Sequence, residues 1–137
     1  MVKERKIKWL IIILAVFQAF NGFSGLLGGF MLIKDPSGIS LSMEQSWLNA
    51  TPFANFLIPG IVLFIINGLG NIAGLWATIR KKTKSAEIGV VFGLIMMVWI
   101  IAQVLWIGYK DFLQPFYFST GLFQMIFGIM LYKVKRK

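Results

Sequence analysis

The chain reads as an all-α integral membrane protein: an antiparallel four-helix transmembrane bundle with a short amphipathic helix in its first outer loop. Three observations predict this. Of 137 residues, 58% are hydrophobic and 14% charged, which leaves a soluble domain of this size too much apolar surface to hide. Four apolar runs each reach the length of a spanning helix, which needs about 20 residues. Twelve of the fourteen Lys and Arg residues fall in residues 3–8, 80–84 and 133–137, and cytoplasmic loops carry such an excess.

The predicted spans are residues 7–33, 57–79, 88–108 and 116–134, in one transmembrane domain covering 1–137. The positive-inside rule then places Lys3, Arg5, Lys6 and Lys8, Arg80, Lys81, Lys82 and Lys84, and Lys133, Lys135, Arg136 and Lys137 in the cytoplasm. Lys34 and Lys110 alone fall outside, together with Asp35, Glu44 and Asp111. Glu87 opens the third helix, where a carboxylate favours the positive end of the helix dipole. The basic start resembles the n-region of a signal peptide. The apolar run behind it is too long and lacks an Ala-x-Ala pattern, so it reads as an uncleaved first span. Trp9, Trp76 and Tyr132 mark the inner interface, and Trp106, Tyr109 and Tyr117 the outer one. Trp99 falls mid-membrane.

Two connections, 80–87 and 109–115, are short, which makes successive helices antiparallel neighbours. The outer loop, 34–56, is the largest stretch outside the spans. Asp35-Pro36-Ser37-Gly38 is a turn signal. Ser42 and Gln45 have the spacing of a capping box, and Met43, Trp47 and Ala50 behind them share one helical face. This predicts a short amphipathic helix that ends before Pro52. Pro59 suits the first turn of the second span, where its missing N–H costs nothing.

Each span carries amides and glycines at helical spacing. The first has Gln18, Asn21 or Gly22, Gly25 and Gly28 or Gly29, and the second Gly60, Asn67, Asn71, Gly74 and Thr78. The third has Gly89, Gly93, Met96 and Gln103, and the fourth Thr120, Gly121, Gln124 and Gly128. Small residues let membrane helices approach closely. Amides in hydrocarbon need hydrogen-bond partners, so they face other helices rather than lipid. The stripes are therefore expected to point inward, with Gln18, Asn21, Asn67, Asn71 and Gln124 at similar depth. They serve either as interhelical ties or as the polar lining of a ligand site or oligomer interface. A short echo links Asn67-Gly68-Leu69-x-Asn71 to Thr120-Gly121-Leu122-x-Gln124, on two spans that run in the same direction.

The stretch Thr51-Pro52-Phe53-Ala54-Asn55-Phe56-Leu57-Ile58-Pro59-Gly60, with Leu63 after it, resembles the (S/T)PFxx(F/Y)LIPG run of uncharacterised small bacterial four-span membrane proteins. The resemblance covers about a sixth of the chain. It implies a bacterial plasma membrane and transfers no catalytic residue. Phe53 and Phe56 anchor the loop at the interface in this reading, so that Trp47, Phe53 and Phe56 form a candidate outer cap.

The sequence contains no Cys and no His, which excludes disulfides, thiolate chemistry and metal sites built on those ligands. No charged residue lies mid-span, where coupled pumps usually keep one, and no nucleophile–base pair is visible. The net charge of +9 is topogenic and faces anionic lipid headgroups on the cytoplasmic side rather than nucleic acid. The expectation is a non-enzymatic membrane protein without cofactor. It binds a lipid, a small amphiphile or a membrane-protein partner through its outer loop and polar core. The alternative is a small oligomeric transporter or channel lined by the five amides.

Overall fold

The structure, a computed structural model, describes residues 2–136. Met1 and Lys137, the last residue of the third basic cluster, lie outside the described residues. Four helices follow one another: α1 (Val2–Lys34), α2 (Leu57–Ile79), α3 (Ser85–Ile107) and α4 (Leu113–Arg136). All four are long and apolar enough to cross a membrane. Each begins or ends within five residues of the expected boundary. The largest differences are at α1, which extends through the basic residues 3–6, and at the starts of α3 and α4.

The helices alternate in direction. Leu10 and Leu14 of α1 pack with Ala86 at the start of α3 and Leu131 near the end of α4, which gathers the three basic clusters at one end. At the other end Leu32 packs with Leu48 and Phe56 of the loop between α1 and α2. Sequential helices are neighbours, and α1 closes the ring against α4. The bundle is inverted relative to a soluble one. Val16, Phe23, Leu27, Ile65, Val98 and Leu105 face outward, while Gln18, Asn21, Asn67, Asn71, Thr78 and Gln124 are fully buried. That distribution suits hydrocarbon outside and polar pairing inside.

Glycines set close contacts within both hairpins. A Cβ on Gly25 of α1 would lie 2.6 Å from the backbone nitrogen of Gly68 of α2. A Cβ on Gly93 of α3 would lie 2.7 Å from the carbonyl oxygen of Gly121 of α4. Each hairpin, α1–α2 and α3–α4, therefore brings backbones into contact at a glycine pair, and α1–α2 does so again where Gly29 meets Phe64.

α2 is not uniformly α-helical. Leu63–Leu69 forms π-helical turns, with the Gly70 N–H donating to the Ile65 carbonyl five residues back. The wider turn rotates the inward face. Ile65 and Ile66 are both exposed, and Asn67 and Gly68 are both buried. The expected stripe assumed an unbroken helix and contained no signal for this extra residue.

The loop differs from expectation. The amphipathic helix is replaced by two single 3₁₀ turns, Ile39–Leu41 and Gln45–Leu48. The capping box does not form: Ser42 has φ 58°, and the Gln45 side chain donates across the loop to the Ala54 carbonyl at 2.9 Å. Local bonds win over helix here. The Asp35 carboxylate accepts from the Ser37 hydroxyl at 2.6 Å and from the Ser40 N–H at 3.2 Å. The Thr51 hydroxyl donates to the Leu48 carbonyl at 2.8 Å. The Ser37 hydroxyl bond, with help from the Ser40 and Ser37 N–H groups, holds the Asp35 pKa below the ordinary carboxylate value.

Gly25→Ala and Gly93→Ala are each expected to destabilise the bundle by about 1–3 kcal/mol, the usual cost of forced overpacking. Gly28→Ala, whose new Cβ would meet only the flexible end of Leu63 at 3.3 Å, is expected to stay within about 0.5 kcal/mol. Reversible unfolding in mixed micelles reads all three.

Candidate functional site

The five predicted amides meet at the bundle axis. The Gln124 carbonyl oxygen accepts from Asn21 Nδ2 at 2.7 Å. Its Nε2 donates to Asn71 Oδ1 and to the Gly89 carbonyl, both at 2.9 Å. Gln124 thus reaches α1, α2 and α3 from α4. Asn71 Nδ2 donates to the Asn67 carbonyl at 2.9 Å, within the π-helical region of α2. One turn toward the basic end, the Thr78 hydroxyl lies 2.7 Å from Gln18 Oε1 and 2.9 Å from the Gly74 carbonyl. A hydroxyl has one proton to give, so these two acceptors share it. The whole cluster is fully buried.

The cluster is not saturated. Gln18 Nε2, Asn21 Oδ1 and both polar atoms of the Asn67 side chain have no partner among the described residues. A buried unpaired polar atom costs about 1–3 kcal/mol, so Asn67 contributes nothing to holding the helices together through its side chain.

A second feature lies at the loop end. A cavity of about 590 Å³ opens between the loop-end halves of the helices and the loop. Its volume falls in the range of about 300–1,000 Å³ that holds drug-sized ligands. Trp47, Phe53 and Phe56 of the loop all line it. The cavity exists because α2 and α3 are packed closely only toward the basic end and diverge toward the loop end. Pro59 and Leu63 of α2 line one side and Trp99, Gln103 and Trp106 of α3 the other. Phe53 packs edge-on against Trp106, ring centroids 5.6 Å apart, joining the loop to α3.

None of the five amides lines this cavity. Gly25 lines the cavity, and a Cβ built on it would lie 2.8 Å from the Asn67 carbonyl carbon. The loop residues and the amides, expected as one site, are therefore two: a closed polar core and an apolar cavity directly above it. Gln103 belongs with the second. It accepts from Gln114 Nε2 at 3.4 Å, and both line the cavity.

Sequence reasoning missed Trp99, Met96, Met31 and Met43 as cavity lining. The available signal was compositional. Flexible methionines and large aromatics fill or line irregular space, and Met31, Met43, Met96 and Trp99 do so here. Among the described residues no group of His, Cys, Asp or Glu is placed to hold a metal ion. Comparison with protein-family models, with curated proteins and with solved structures gave no match.

Gln124→Leu removes the partners of Asn21 Nδ2, Asn71 Oδ1 and the Gly89 carbonyl together, and is expected to destabilise by about 1–3 kcal/mol. Asn67→Leu removes no side-chain bond and is expected to be neutral or stabilising. Equilibrium unfolding of the two variants, compared side by side, checks the ranking; Asn67→Leu costing as much as Gln124→Leu would contradict this hydrogen-bond arrangement.

Proposed function

We propose that this is a non-enzymatic protein of the bacterial plasma membrane, with both termini in the cytoplasm, that binds the apolar chain of a lipid or small amphiphile. The loop-end cavity is the binding site. The observation that carries this reading is the cavity itself: large enough for a ligand, walled by all four helices, and roofed by Trp47, Phe53 and Phe56. Apolar lining with a few polar groups at one end is the usual character of small-molecule sites. In this reading the amides hold the floor, and the loop is the lid on the outer leaflet side. The three basic clusters gathered at the opposite end support the orientation, since they would face anionic headgroups.

A second reading keeps one specific observation in its favour. Four buried polar atoms of Gln18, Asn21 and Asn67 lack partners, and a π-helical segment, a feature frequent at functional sites, runs beside them. A small oligomeric transporter or channel that passes a polar solute through the amide core would use both. Here Asn67→Leu abolishes solute flux in proteoliposomes without loss of fold, whereas in the amphiphile-binding reading it leaves ligand occupancy unchanged.

Thr83 and Ser46 are both exposed, so cysteines placed there report orientation. Ser46→Cys is expected to react with an impermeant maleimide on intact cells and Thr83→Cys only after lysis; the reverse pattern would overturn the topology. Native mass spectrometry from nanodiscs is expected to show a co-purifying amphiphile that is lost when Ala102→Phe fills the cavity. Persistent retention in that variant would place the ligand elsewhere.

A further inference from the structure

We infer that the ligand of the loop-end cavity carries an anionic head, a carboxylate or a phosphate ester, held at Lys110. This rests on the cavity being the ligand site proposed above and goes on to name the chemistry of its occupant. Two basic side chains belong to the loop end, Lys34 and Lys110, and Lys110 alone lines the cavity.

The carboxylates of Asp111 and Glu44 each accept a hydrogen bond from another donor. Asp111, also in the lining, accepts from the Phe112 N–H at 2.7 Å, at the first turn of α4 where a carboxylate is favoured. Glu44 accepts from the indole N–H of Trp47 at 3.1 Å. Among the described residues the one ion pair, Lys84–Glu87, is at the opposite end of the bundle. The Lys110 ammonium therefore has no carboxylate within ion-pair distance. It rests over the Trp47 ring, 5.5 Å from the centroid, a cation–π contact that keeps the charge beside the cavity.

The backbone that carries Lys110 is fixed. Gln114 is buried; its Oε1 accepts from the Lys110 N–H at 2.7 Å, and its Nε2 donates to the Gly108 carbonyl at 3.3 Å. Gly108 itself has φ 81° and ψ 178°, a backbone conformation open essentially to glycine, and it ends α3. The result is a cation seated on an aromatic ring at the edge of an apolar chamber. An amphiphile with an anionic head satisfies both parts at once, through a charge-assisted hydrogen bond at the head and apolar burial of the chain. The volume suits a single chain rather than a whole two-chain phospholipid.

The test uses the full chain in nanodiscs of zwitterionic lipid. Brominated long-chain carboxylate, monoalkyl phosphate and alcohol of equal length are titrated, and binding is read from quenching of the tryptophans, three of which line the cavity. Both anionic probes are expected to bind at least about tenfold tighter than the alcohol. Lys110→Gln removes that gap and leaves alcohol binding unchanged; Lys110→Arg keeps it. Equal affinity for all three probes, or a gap that survives Lys110→Gln, overturns the anionic assignment while the cavity reading stands. Displacement of the carboxylate probe by inorganic phosphate at similar concentration would make the ligand a free anion and overturn the amphiphile. If no probe quenches, or quenching persists in Ala102→Phe, the cavity reading itself fails.

Discussion

One side chain ties the molecule together. Gln124 of α4 sits at the bundle axis and hydrogen-bonds to Asn21 of α1, Asn71 of α2 and the Gly89 carbonyl of α3. Between apolar helices in hydrocarbon no hydrophobic effect selects one register over another, because lipid is as apolar as leucine. Register has to come from contacts that a shifted arrangement cannot make. A carboxamide with two donors and one acceptor, all engaged on three different helices, provides that. Sliding any one helix by a single turn would leave several buried polar atoms unpaired at about 1–3 kcal/mol each.

The glycine pairs act with this node. Gly25 against Gly68 and Gly93 against Gly121 bring each hairpin to backbone contact, and Gln124 then joins one hairpin to the other. The sequence echo acquires a physical meaning in this arrangement. Gly68 and Gly121 occupy matching positions in it, and so do Asn71 and Gln124, which bond to each other at 2.9 Å. The two parallel helices present the same device, glycine toward the hairpin partner and amide three residues on toward the axis. What this arrangement does not hold is the loop-end half of the α2–α3 seam. The helices diverge there, and the space between them is the cavity.

Much of this was legible in the chain, because the membrane restricts what each residue type can do. The four spans follow from length and apolarity, and the inward stripes follow from the cost of an amide in lipid. Phe53 and Phe56 stand out in the Pro-Phe run and Trp47 in the expected loop helix, and all three line the cavity. Two things were not legible. The π-helical turns of α2 add one residue to the helical period without altering composition, so nothing in Leu63–Leu69 announces them. The loop helix failed because its nominal capping pair, Ser42 and Gln45, is committed elsewhere. Gln45 reaches a carbonyl nine residues away at 2.9 Å, a contact that exists only once Pro52 and Pro59 have brought that segment back across the helix ends. The separation of cavity from amide core was likewise invisible, because depth estimates rank residues along one axis and say nothing about which face of a seam stays open.

The π-helical segment is where these features meet. Its first residue, Leu63, lines the cavity, and Asn67 within it has both side-chain polar atoms unpartnered. An unbroken α-helix would rotate the part of α2 before the extra residue by about a third of a turn relative to Asn71. Asn71 is bonded to Gln124 and cannot follow. The wider turn and an unpaired amide therefore lie between the half of α2 that bonds to Gln124 in the bundle core and the half that lines the cavity. Pro59, Val62 and Leu63, on the cavity side of that junction, line the cavity. The π-helical turn thus joins the cavity wall to the part of α2 that Gln124 holds at the bundle axis.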